Sequence, residues 1–191
     1  GEVYAIERKK IQHLYLGTSK SLFYMKTEQE LIFPELIFLN DYRGNFDLYF
    51  NAVYQIFETD FIKTQPCYEK HKVSVRKYPE VDGIHRTFYH ITHQGEDEKN
   101  REPDIRRMER IRFPKFVIEH HSHNDILIWK NTRGSDKRIV LFNEKENYIL
   151  ILSQRKEYYL FVTAYYIETE HRKQKLLKEY HSYIKSQNRL D

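Results

Sequence analysis

Cysteine is almost missing from this chain: Cys67 stands alone among 191 residues. An internal disulfide is therefore excluded, and so is a zinc site built on four thiolates. Glycine and proline are also scarce, at six and five residues, which excludes collagen-like and low-complexity chains. No apolar run approaches the ~20 residues that a membrane-spanning helix requires, so no membrane partner is expected. The sequence holds no P-loop, dinucleotide-binding glycine pattern, nucleophile elbow or cysteine–histidine protease signal. No cofactor is expected from what remains.

What is present is a core and an unusual share of rings. Apolar residues are 40% of the chain and aromatics 15%, with sixteen Tyr and twelve Phe against one Trp. Thirty-two Lys and Arg face 28 acids, a net charge of +4. That mild excess permits a polyanionic partner without demanding one.

The pattern along the chain predicts an α+β fold. Residues 1–44 read as an N-terminal extension, with a β-hairpin over IQHLYLGTSKSLFYM around its Gly-Thr-Ser turn. Residues 45–187 read as the main domain. FDLYFNAVYQIFETDFI, 46–62, has helical spacing, and Asn45 suits its cap. HKVSVRKYP, 71–79, and GIHRTFYHITH, 83–93, read as strands joined at Asp82-Gly83, after a loop over KTQPCYEKHK. REPDIRRMERIRF, 101–113, reads as a short helix ended by Pro114. DILIWKN, KRIVLFNE, NYILILSQR and EYYLFVTAYYIE then form a four-stranded, or larger, antiparallel meander. A C-terminal amphipathic helix follows to about residue 186, with Leu176, Leu177, Tyr180 and Ile184 as its buried stripe. The first long helix is apolar enough to lie across the sheet.

Three stretches carry candidate chemistry. Residues 101–115 concentrate Arg101, Arg106, Arg107, Arg110, Arg112 and Lys115. Arginine grips phosphate with two parallel hydrogen bonds, although exposed basic helices are commonly only solvated surfaces. His90 lies among bulky residues and titrates near neutrality, which suits proton transfer; the plain alternative is a packed histidine with one hydrogen bond. In YYLFVTAYYIE, 158–168, strict alternation puts Tyr159, Phe161, Thr163 and Tyr165 on one face and Leu160, Val162 and Ala164 on the other. A hydroxyl and a phenol side by side need partners where they are covered. Two metal readings are weaker. His121 and His123 in EHHSH lack an evident third ligand, and Pro103-Asp104 lacks the later acid-x-Lys pair of a magnesium nuclease.

Two long segments, FYHITHQGEDEKNREPDIRRMERIRFPKFVIE and KRIVLFNEKENYILILSQRKEYYLFVTAYYIETEHRKQKLLKEY, resemble a phage-associated family. That family is grouped with the barnase–EndoU–colicin–RelE nuclease superfamily. The likeness covers roughly residues 45–185, and FYH replaces the usual Phe-Trp-His. It implies a helix packed on a four-stranded antiparallel sheet, and metal-independent RNA cleavage in which the ribose 2′-hydroxyl attacks the adjacent phosphate to leave a 2′,3′-cyclic end. It assigns proton transfer to His90, phosphate stabilisation to Arg110 and in-line positioning to Thr163 and Tyr165. Arg106, Arg107, Arg138 and Arg155 become RNA-binding candidates, with no metal. It also implies a toxin-like role in the cytoplasm, as a free protein or as a C-terminal domain released into a target cell. The implied partners are RNA and an acidic cognate antitoxin or immunity protein. The competing readings are a non-catalytic module that binds RNA or protein, and a metal-dependent nuclease using His121 and His123.

Overall fold

A computed structural model describes residues 30–80, 83–95, 97 and 100–189. The expected hairpin over residues 11–25 lies outside the described residues. Residues 30–38 run without regular structure into a 3₁₀ turn at Leu39–Tyr42. Ile37 is buried there, its N–H donating to the Glu109 carbonyl and its carbonyl accepting from the Tyr49 hydroxyl, both at 3.0 Å.

Helix α1 spans Phe46–Phe57. Asn45 caps it, accepting from the Leu48 N–H at 3.0 Å, and Asp47 sits in its first turn against the positive end of the helix dipole. Tyr49, Val53 and Phe57 recur every four residues and are buried. A π-helical turn, Glu58–Lys63, carries the stripe on to Phe61. The loop predicted after it holds a small hairpin of β1 (Cys67–Tyr68) and β2 (His71–Ser74), so the strand expected over 71–79 is shorter.

The segment read as a strand over 83–93 is instead helix α2, Arg86–Thr92. Alternation and β-branched or aromatic content favour a strand there, but a short apolar run carries no decisive period. Packing decides. Phe88 and Ile91, three apart, both enter the core, and the Phe88 ring meets Phe50, Tyr54 and Phe57 at 4.8–5.5 Å. The Thr92 hydroxyl donates back to the Phe88 carbonyl at 2.7 Å. Two short strands follow, β3 (His93–Gln94) and β4 (Glu102–Pro103), paired antiparallel. Helix α3, Ile105–Glu109, is shorter than expected. Pro114 does not end it but occupies the first turn of α4, Phe113–Glu119, where a missing N–H costs nothing.

The meander is β5 (Ile126–Arg133), β6 (Asp136–Asn143), β7 (Tyr148–Gln154) and β8 (Tyr159–Tyr166), all antiparallel. The sheet continues through β2, which pairs parallel with β8, to give the order β1-β2-β8-β7-β6-β5. Helix α5, Glu170–Gln187, follows. The α+β class, the helix on the sheet and the C-terminal helix all match the sequence expectation.

Alternation in the strands builds two cores. Ile139, Leu141, Leu150 and Leu152 meet α1, α2, α3 and α4 on one face. Val140, Phe142 and Ile149 meet Leu176 of α5 on the other, with Leu177, Tyr180 and Tyr183 partly buried beside it. One irregularity interrupts β8. Ile151 faces Thr163 while Leu152 faces Phe161, so Val162 is an extra residue, a β-bulge. The bulge reverses the alternation. Tyr159 and Phe161 join the first core with Ala164, whereas Thr163 and Tyr165 turn to the second face. The grouping of all four on one face is thereby corrected.

No helix among the described residues is long and apolar enough to cross a membrane. The aromatic packing against α1 gives a stability prediction. Phe57 is fully buried and meets Phe61 and Phe88 within 5.4 Å. Phe57→Ala should cost about 3–5 kcal/mol, read as a lowered urea midpoint with an unchanged m-value.

Candidate nucleic-acid cleft

Helix α5 contacts β5, and α2 packs against β8 at the other side of the meander. Between them part of the second sheet face is left open, forming a cleft of about 1500 Å³. Its deepest lining on this face is the buried Trp129; Ile151, Thr163 and Tyr165 are half-buried, and Phe161 borders it while its ring packs on Phe61 in the first core. Among the described residues, the lining includes nine Lys or Arg side chains and a single carboxylate, Glu179. Arg76, Lys130, Arg133, Lys175 and Lys178 are exposed, while Arg101, Arg107, Arg138 and Arg172 are half-buried. Two of the nine, Arg107 and Arg138, are paired with Asp104 and Asp136; mutual repulsion among the rest is relieved by a polyanion.

His90, Thr163, Tyr165, Arg107 and Arg138 all line this cleft. The bulge at Val162 is what brings Thr163 and Tyr165 to it. Among the described residues neither hydroxyl has a protein hydrogen-bond partner.

Arg107 is the most connected cation of the group. Its Nε pairs with Asp104 at 3.0 Å, and its Nη1 donates to the carbonyls of His90 and His93 at 3.3 and 3.2 Å. Its guanidinium lies over the Tyr165 ring, 5.2 Å from the centroid. It thus satisfies carbonyls at the C-terminus of α2, where a positive charge is favoured. Asp104 caps α3 by accepting from the Arg107 N–H at 3.2 Å. The Pro-Asp pair that resembled a nuclease signature is therefore a helix cap held by an arginine.

Arg101 donates from Nη1 to His90 Nδ1 at 2.8 Å. A guanidinium can only donate, so Nδ1 is the acceptor and the neutral ring carries its proton on Nε2. Arg138 is anchored at the rim by Asp136, 2.9 Å from its Nε. Burial alone would raise the Asp136 carboxyl. Hydrogen bonds from Ser153, Arg138 and Arg155 outweigh it and hold the pKa below its usual value.

Other candidates lie elsewhere. Arg110 turns to the opposite side of β8, where its guanidinium covers Tyr166 at 4.6 Å and its Nη1 donates to the Arg106 carbonyl. Arg106 is exposed and pairs with Glu168 at 3.5 Å. Arg155 is committed to Asp136 at 3.1 Å. None of the three lines the cleft. The His121 ring lies tilted against Tyr68, and its Nδ1 is 2.8 Å from the Ile118 carbonyl. Among the described residues no three His, Cys, Asp or Glu side chains cluster to hold a metal.

Arg101 was named only within the basic 101–115 run, and the sequence reading missed Arg76, Lys130 and Arg133 as cleft residues. Nothing in their spacing marks them: Arg76 follows β2, and Lys130 and Arg133 stand three apart at the exposed end of β5. Arg172, Lys175 and Lys178 were not named either, although their recurrence every three residues on one side of a helix is a readable signal. No family model, curated protein or solved structure matches the chain.

The geometry around Arg107 and the buried histidines generates two further expectations. Asp104→Ala removes both a cap and the partner of a half-buried cation, and should cost about 2–4 kcal/mol. Asp104→Asn keeps the cap and should recover about 1 kcal/mol of that in urea titrations. The second concerns pH. Burial lowers the pKa of His93, with the Arg101 charge adding to it against a hydrogen bond at Tyr89. Burial also lowers His85, with Lys77 adding to it. Unfolding restores both to about 6.5, so the unfolded chain binds more protons below that value. Their contributions to stability are complete above about pH 6.5 and fade as the pH falls through the lower folded values. Urea midpoints should fall on acidification, and His93→Gln should flatten the decline.

Proposed function

We propose that the protein is a metal-independent endoribonuclease, toxin-like in action, whose substrate lies in the cleft between α5 and α2. The observation that carries this reading is the meeting of His90, Thr163, Tyr165 and Arg107 within one ring of nine cations. A phosphodiester seated there accepts hydrogen bonds from the Thr163 and Tyr165 hydroxyls, which have no protein partner among the described residues. Arg107 takes the charge-stabilising role that the family resemblance assigned to Arg110.

The chemistry is an in-line transesterification. An entering phosphate competes with His90 for Arg101. When the guanidinium moves to the phosphate, the Nδ1 lone pair is freed from its hydrogen bond and takes the proton of the ribose 2′-hydroxyl. The 2′ oxygen bonds to phosphorus as the bond to the 5′ oxygen breaks. Tyr165 gives its proton to the departing oxygen, and the Arg107 charge over its ring stabilises the phenolate. Proton exchange with solvent resets both groups, and the product ends in a 2′,3′-cyclic phosphate.

A toxin-like enzyme of this kind needs an inhibitor in its own cell. An acidic protein surface covering the cationic rim is complementary to it.

The test is RNA cleavage in excess chelator with analysis of the 3′ ends. Cleavage should persist and yield cyclic phosphates, and His90→Ala should slow it about 10²–10⁴-fold with the fold intact. Cleavage abolished by chelator would favour a metal-dependent route. RNA binding without cleavage would leave a binding module. Full activity in His90→Ala would remove His90 from the chemistry.

A further inference from the structure

The cleft separates two kinds of surface, and that separation bears on which form of RNA it takes. Its exposed cations stand at the rim, while the half-buried Ile151 and Tyr165 lie in its floor above the buried Trp129. A duplex shows its phosphates on the outside and stacks its bases out of reach, so its approach would leave the apolar floor without a partner. A single strand presents both at once: phosphates to the rim and unstacked base faces to the floor.

The dimensions agree. β5 and β8 are three strand spacings apart, roughly 14 Å between backbones, and the side chains of α5 and α2 narrow the gap. One wall is a single edge of α5. Arg172, Lys175 and Lys178 lie on it, and Ser182 and Ser186 extend it. From Arg172 to Ser186 that edge runs about 21 Å, the length of about six stacked nucleotides in one strand. The two Ser hydroxyls donate to their own helix, to the Lys178 and Tyr183 carbonyls. The phosphate grip on this wall therefore belongs to the three cations. Tyr183, half-buried beside them, adds a ring on which a base can stack.

We infer that the cleft binds single-stranded RNA in preference to duplex, with the strand running along α5 and gripped by Arg172, Lys175 and Lys178. The inference rests on the reading of the cleft as an RNA site. It adds the strandedness of the ligand and a binding wall away from the reacting groups.

The test uses labelled 2′-O-methyl oligouridylate of about eight nucleotides, slightly longer than the wall. Its blocked 2′ oxygen cannot attack, so fluorescence anisotropy reads binding whether or not the protein cleaves. The single strand should bind at least about tenfold tighter than the same strand annealed to its complement. Lys175→Gln/Lys178→Gln should weaken it about tenfold and reduce the slope of log K against log salt by about 1.4. Both lysines are exposed, and an unchanged circular dichroism melt will show that the fold is retained. Equal or tighter duplex binding overturns the inference, as does a double variant with unchanged affinity and slope. Binding of the blocked strand together with inert natural RNA overturns the nuclease reading and leaves this one standing. Cleavage of natural RNA with equal duplex binding does the reverse.

Discussion

Arg107 ties three elements of the first core together at a single polar point. One guanidinium reaches Asp104 at the start of α3, two carbonyls at the end of α2, and the ring of Tyr165 on β8. These contacts depend on one another. Asp104 is oriented by capping α3, and that orientation places its carboxylate beside Arg107. The half-buried cation is thereby neutralised on one side and hydrogen-bonded on another, the condition under which such a charge is tolerated away from water. Because the same group ends α2, it fixes the position of His90 relative to the sheet. The candidate catalytic groups therefore come together around a structural ion pair.

The cleft has a similar economy. The six-stranded sheet and its helices bury two cores, but α5 covers only part of the second sheet face. The open remainder has an apolar floor because the strands still alternate there. It has a cationic rim because the β5 turn end, the α5 edge and the arginines near α2 all finish at its border. Arg138 shows how individual members are held: Asp136 gathers it with Arg155 and Ser153, so its position at the rim does not depend on a ligand.

Much of this was legible in the residues. The meander, the first helix with its Asn45 cap and the C-terminal amphipathic helix all carry strong periodic signals, and each is present. His90, Thr163 and Tyr165 were identified, and they share the cleft. The misreadings have physical causes. Residues 87–92 have a composition that suits either state, and the burial of Phe88 and Ile91 in the first core selects the helix. Arg107 and Arg110 looked equivalent from a distance. The end of α3 at Glu109 sends one to Tyr165 and the other to Tyr166, on opposite sides of β8. Arg101 was legible only as one of a basic run; its bond to His90 was not, because the two lie eleven positions apart.

The extra residue at Val162 has a consequence for how substitutions in β8 should be judged. The strand changes phase at that point: odd positions before it belong with even positions after it. A greasy-for-polar exchange that strengthens the core at one odd-numbered site would spoil the floor of the cleft at the next. Any redesign or ancestral comparison of this segment must therefore be scored in two separate frames, because a single inside–outside template will assign half of the strand to the wrong side.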